Sequence, residues 1–274
     1  MRGALLIAAL TATIACSKPA PSPQGDTPRI VTLAPSATEV VAALGATSLL
    51  VGVDAYSTFP PEVATLPKVG SFLQPNIEVI VGLHPTLVVV DDIHGATGRA
   101  LDDAGIKTVA CAFHALPDVK RALKTIGERI DRVKQADAAV AGIDAALDAA
   151  AAARPARHPR VLAIIDREAG GLGNLVAVGP GSWVDELLAV VGGDNVLAAS
   201  GIRYPKISLE EVLRAQPEVI LDLSFAGKSG ITPWQAVDVP AVKANKVLAI
   251  DQPYLLAPSP RVKDALDTLA GALK

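Results

Sequence analysis

Asp91-Asp92-Ile93-His94 puts two carboxylates and an imidazole in one short segment, a set able to ligate a metal ion or to move protons. Nothing else in the chain completes a hydrolytic centre with it. His84, His114 and His158 fall where loops or strand edges are expected, and no second cluster has ligand spacing. Gly170-Gly171-Leu172-Gly173 lacks the following helix and the later acid of a dinucleotide fingerprint, and no Gly-x-Ser-x-Gly elbow occurs. These residues therefore argue for binding rather than catalysis, with neither cofactor nor metal centre. Asp92 and His94 keep two readings at this stage, contact with a bound ligand or an ordinary polar surface.

Aromatic residues make up only 3% of the 274 residues, so the position of each one carries information. The formal net charge is −3, without a block of like charges, which excludes a nucleic-acid surface or a polybasic membrane patch. The N-terminus reads as an export signal over residues 1–15: Arg2, an apolar core at 4–13, then Ile14-Ala15-Cys16. That core is too short for a permanent span, which needs about 20 apolar residues. Either Cys16 becomes a lipidated first residue, or the signal is plainly secretory and the cysteine incidental. Residues 16–28, rich in proline, serine and glycine, have the composition of an extended tether. With two cysteines there is no disulfide framework, and Cys111 reads as a small buried hydrophobe.

Apolar strands then alternate with helical segments. Strands are expected at 30–33, 49–53, 87–90 and 107–111, and again at 161–165, 175–178, 219–223 and 247–250. Ser36 and Glu39 have capping-box spacing ahead of the first helix. Between the two sets, Val119, Leu123, Ile126, Ile130, Val133, Val140, Ile143 and Leu147 recur at helical intervals, which predicts one helix over 116–154, roughly 58 Å long. The expected fold is α/β: two pseudo-symmetric lobes at 29–115 and 155–274, each with a mostly parallel sheet, joined by that helix. The segment from Asn76 through Pro85 to Val89 aligns without gaps with the one from Ser208 through Pro217 to Leu221. The cap, an acid (Glu78, Glu210) and the proline fall in register.

Several motifs carry a family resemblance over nearly all of the chain from Arg29 onward: Pro28-Arg-Ile-Val-Thr-Leu-Ala-Pro-Ser-Ala-Thr-Glu39, Val51-Gly-Val53, Tyr56-Ser57, Val69-Gly70, Asn76-Ile-Glu78, His84-Pro-Thr-Leu-Val88 and Ser259-Pro-Arg261. The sequence resembles the helical-backbone substrate-binding lipoproteins of ABC importers, and within them the cobalamin-binding branch. The resemblance implies a monomeric periplasmic receptor, anchored to a bacterial membrane through Cys16, with cobalamin or a related corrinoid held in the cleft between the lobes. It implies delivery to a permease dimer with ATPase subunits, Glu78 and Glu210 docking on that permease. Their other role, as first-turn acids stabilising their own helices, is compatible with docking. By matching positions, Tyr56, Phe72, Trp234, Tyr254 and Arg261 are the expected ligand contacts. Haem or a ferric siderophore is the alternative cargo, with His94 and Tyr254 as possible axial ligands to haem iron.

Overall fold

A computed structural model of the chain describes residues 27–225 and 230–274. The expected signal, Cys16 and the expected tether up to residue 26 lie outside the described residues. The N-terminal lobe runs β1 (Ile30–Thr32), α1 (Pro35–Ala43), β2 (Leu50–Val53), the hairpin β3 (Gly70–Ser71) and β4 (Gln74–Pro75), α2 (Ile77–Gly82), β5 (Leu87–Asp91), α3 (Gly95–Asp103), β6 (Thr108–Cys111) and α4 (Leu116–Arg129). Its main sheet is wholly parallel, in the order β2-β1-β5-β6. Helices cover both faces, so β1 and β5 are buried throughout and consist almost entirely of apolar residues.

Beyond α5 (Val133–Ala152), the C-terminal lobe contains β7 (Arg160–Asp166), β8 (Leu175–Ala177), α6 (Trp183–Val191), β9 (Asp194–Asn195), β10 (Lys206–Ile207), α7 (Leu209–Ala215), β11 (Val219–Asp222), α8 (Pro240–Lys243), β12 (Val247–Ala249), α9 (Pro253–Leu256) and α10 (Val262–Ala272). β7, β11 and β12 are parallel, and β8 and β10 continue the sheet antiparallel on the other side of β7. Among the described residues no helix is long and apolar enough to cross a membrane.

The single helix expected at 116–154 is two. α4 ends at Arg129, Asp131 adopts a left-handed φ of 56°, and the Arg132 amide closes the turn on the Gly127 carbonyl at 2.7 Å. α5 then doubles back along α4, as the ion pair of Lys120 with Asp144 requires. Gly127 makes the reversal possible: a Cβ there would lie 2.8 Å from the Cβ of Ala136. Periodicity missed the break because Ile126, Ile130 and Val133 stay in helical phase across it. Ile130 is buried at the turn, whereas Val133 is half exposed. α4 thus belongs to the N-terminal lobe, and the spine is α5 alone, 20 residues and about 30 Å long. It packs on α1 and α4 on one side and on α6 and α10 on the other, which merges the two lobes into one apolar core.

The repeat is present in the backbone. The Asn76 side chain caps α2 by accepting from the Val79 amide at 3.1 Å, and Ser208 caps α7 through the Glu211 amide at 3.2 Å. Ile80 and Val212 are the buried residues of their helices. His84 and Gln216, each just before the proline, turn the chain with left-handed φ values of 48° and 45°. Sequence register is therefore structural register.

Candidate ligand cleft

Between the lobes lies a cleft of about 550 Å³. It opens where the parallel strands end: Ser36 follows β1, Ile93 follows β5, Phe113 and His114 follow β6, and Phe225 follows β11. Carboxyl ends of parallel strands are where such sheets bind ligands, because loops there converge without interrupting the ladder. Trp183 and Val184 at the start of α6 line the same cleft from the C-terminal lobe. The lobes touch nearby, where the Trp183 amide donates to the His114 carbonyl (2.9 Å) and the Leu116 amide to Glu186 (2.6 Å). Large apolar side chains remain in water around the cleft, with Tyr56 59%, Leu73 77% and Phe225 67% exposed. Apolar surface left open around a concavity marks a binding site.

Tyr56 and Phe72, both expected, line the cleft. A buried chain of hydroxyls holds the Tyr56 loop: Thr32 meets Thr38 (2.6 Å), Thr38 meets Ser57 (2.7 Å), and Ser57 donates to Asp54, which accepts from the Tyr56 amide at 2.9 Å. Burial pushes the Asp54 carboxyl above its ordinary pKa. Phe72 stands edge-on to the His94 ring, with centroids 5.2 Å apart.

His94 does not face the cleft as a ligand. Its Nδ1 accepts from the Asp91 amide (3.1 Å), which leaves the proton on Nε2 to be donated to the Phe72 carbonyl (2.5 Å), and the residue is buried. It fastens the β3–β4 turn to the end of β5. The imidazole at the cleft is His114, for which the sequence predicts only a loop or strand edge. Its Nε2 bonds both oxygens of Asp92, at 2.9 and 3.1 Å. Asp92 is thus set back from the cleft lining and acts by holding His114, while Asp91 lines the cleft itself. Asp91, Asp92 and His114 each offer a possible ligand atom within 4.8 Å of the others, with His114 Nε2 already bonded to Asp92. Burial, and then the neighbouring Asp92, push the Asp91 carboxyl up to about 6. Burial opposes ionisation of Asp92 as well, but its hydrogen bonds to Asp91 and His114 hold it below the ordinary carboxylate range.

Three other expected contacts lie elsewhere. Trp234 is fully buried in the core of the C-terminal lobe, donating from Nε1 to Asp222 (3.0 Å), because that carboxylate sits inside the sheet and requires donors. Arg167 completes the neutralisation at 2.7 Å, and also donates to the carbonyls of Gly171 (2.8 Å) and Gly230 (3.0 Å). Arg261 is outside the cleft lining: it makes two bonds to Glu39 of α1, at 2.8 and 2.5 Å, beneath Phe59 and Tyr254, whose ring centroids lie 4.0 and 4.7 Å away. Glu39 therefore makes no capping box with Ser36, and α1 has no side-chain cap. The Tyr254 hydroxyl bonds Thr268 at 2.9 Å, and its carbonyl accepts from Trp183 Nε1 at 3.1 Å. Arg261 thus ties the C-terminal lobe to α1 and Phe59 of the N-terminal lobe, and Tyr254 packs within its own lobe, both outside the cleft lining. Among the lining residues not expected, Phe113, His114 and Phe225 lie within three residues of a strand's carboxyl end, a signal the sequence carries, whereas Trp183, Tyr204 and Leu256 have no such mark.

Glu78 and Glu210 are exposed at equivalent points on the first turns of α2 and α7. Apolar neighbours flank each in register, Ile77 and Val81 in one lobe and Leu209 and Leu213 in the other, all over a third exposed. The two lobes thus present matching acid-and-aliphatic patches.

Residues 30–254 match the family model described as periplasmic binding protein. The vitamin B12-binding protein of Vibrio cholerae serotype O1 is 31% identical over 251 residues, covering 90% of this chain and 89% of that protein. Among solved structures, the periplasmic heme-binding protein RhuT from Roseiflexus sp. RS-1 superposes with a TM-score of 0.80 at 29% identity, over 90% of this chain and 100% of its own. The periplasmic vitamin B12 binding protein BtuF of Vibrio cholerae gives a TM-score of 0.76 at 27% identity, over 89% of this chain and 96% of that one. With the two lobes, the α5 spine and the inter-lobe cleft, these matches make the chain a member of the periplasmic binding protein family.

Proposed function

We propose that the protein is the lipid-anchored receptor of an ABC importer, and that it captures cobalamin or a related corrinoid in the inter-lobe cleft and passes it to a permease dimer with its ATPase subunits. The observation that carries the choice of ligand is the cleft lining. Aromatic and aliphatic walls suit a broad planar ring, and no lysine or arginine is among the described residues that line them. Haem brings two propionates, and a ferric siderophore brings anionic oxygens, and either would meet carboxylate there rather than a cation. Haem keeps a place as second reading on the likeness to RhuT and on His114 and Tyr56 in the lining. Binding, not turnover, is the expected activity.

Titration of the pure protein with cyanocobalamin, haemin and a ferric siderophore tests this through tryptophan emission. Trp183 at the cleft reports and Trp234 in the core does not, so Trp183→Phe should remove the quenching. Saturable quenching by cyanocobalamin is expected; a flat cobalamin signal beside a saturating haem signal would move the assignment to haem. Docking is tested separately. Glu78→Arg with Glu210→Arg should leave ligand binding intact and abolish stimulation of the transporter's ATPase, whereas unchanged stimulation would remove both glutamates from the interface.

A further inference from the structure

The cleft has one polar corner. Asp91 reaches it from the end of β5 while almost completely buried, and its Oδ1 accepts from the Ile93 amide at 3.1 Å. Asp92 stands beside it and orients the His114 imidazole into the lining. β5 and β6 are paired with Asp91 opposite Cys111, so a rigid ladder sets the distance between the two loops. Each carboxylate already takes some hydrogen bonds from protein groups, yet the corner as a whole stays rich in acceptors and negative in charge. Its surroundings in the lining are aromatic and aliphatic, which strengthens any electrostatic preference.

We infer that Asp91, Asp92 and His114 form a specificity element that selects tetrapyrroles with neutral amide side chains at this corner and rejects those with a carboxylate there. The inference rests on the corrinoid reading. A primary amide supplies N–H donors to the acceptors. A carboxylate in the same place supplies none and puts like charge next to like charge. His114 contributes through its position, since Asp92 occupies its Nε2 and so fixes the orientation of the ring. Selection of this kind acts through the difference between the two substituents, an amide that is accepted and a carboxylate that is penalised.

The test compares cyanocobalamin with its three monocarboxylic acids, in each of which one peripheral propionamide has been hydrolysed. Dissociation constants are read from Trp183 quenching at pH 7.5. We expect at least one isomer to bind about tenfold weaker than the parent or worse. Asp91→Asn with Asp92→Asn should recover most of that loss, read as the ratio of each acid's dissociation constant to the parent's on the same variant. The single Asp92→Asn variant, at a half-exposed side chain, guards against misfolding of the double variant and should recover part of the loss. Three isomers within twofold of the parent, or a penalty that survives both variants, would overturn the inference and leave the corrinoid assignment standing. Failure of cyanocobalamin itself to bind would overturn the assignment and the inference together.

Discussion

The two walls of the cleft start from the same repeat and treat charge in opposite ways. In the register that aligns Pro85 with Pro217, Ile93 and Phe225 are equivalent, and both are exposed apolar residues at the cleft. Around them the acids differ. The C-terminal lobe keeps Asp222 inside its strand and neutralises it with Arg167, Ser224 and Trp234, so its wall is apolar. The N-terminal lobe has Val90 at the position of Asp222, and its carboxylates follow one and two residues later, at the edge of the cleft. A shift of one or two residues along a strand end thus moves a charge from inside the sheet to the edge of the cleft.

The sharpest way to break this comparison is to remove one acid from each wall. Asp222→Ala removes the buried carboxylate from its ion pair with Arg167, and should lower the unfolding free energy by about 3–5 kcal/mol. Asp92→Ala removes a half-exposed partner from His114 and should change stability by less than about 1 kcal/mol. Urea denaturation followed by circular dichroism measures both. Equal losses would mean that the N-terminal acids are structural as well, and the contrast between the walls would disappear.

The comparison also explains what the sequence could convey. Strands, lobes and repeat were legible because they rest on local signals: β-branched runs, caps, and a proline after a left-handed residue. The turn at Asp131 was not legible, since the apolar phase runs through it and only the close approach of Gly127 to Ala136 reveals the reversal. Trp234 was misplaced because a scarce aromatic looks available until a buried acid, Asp222, is seen to take its N–H. Arg261 was misplaced for the same reason, its partner Glu39 being 222 residues away in sequence. His94 and His114 exchanged roles: adjacency in sequence favoured the first, and the parallel pairing of β5 with β6 brings in the second. Partnerships between distant polar groups decide which side chains remain free for a ligand, and a single sequence does not display them.

The smaller effect lies in how the exposed wall responds to pH. The Asp91 carboxyl is raised from 3.8 to about 6 by burial first and by Asp92 second, so the folded protein holds this proton more tightly than the unfolded chain does. Between those two values the folded state carries the extra proton, and stability falls as pH rises; above about 6 both states have lost it and the deficit stays constant. Asp91→Asn removes the deficit and keeps an oxygen to accept from the Ile93 amide. Its melting temperature should match the natural protein's near pH 4, rise above it through pH 6, and then hold a constant lead. That lead corresponds to about 1 kcal/mol once screening at the cleft face and the lost bond to Asp92 are discounted. Curves that stay parallel from pH 4 to pH 7.5 would mean that Asp91 ionises as freely as a surface carboxylate. The polar corner would then be an ordinary wet edge, and the difference between the two walls would be one of position only.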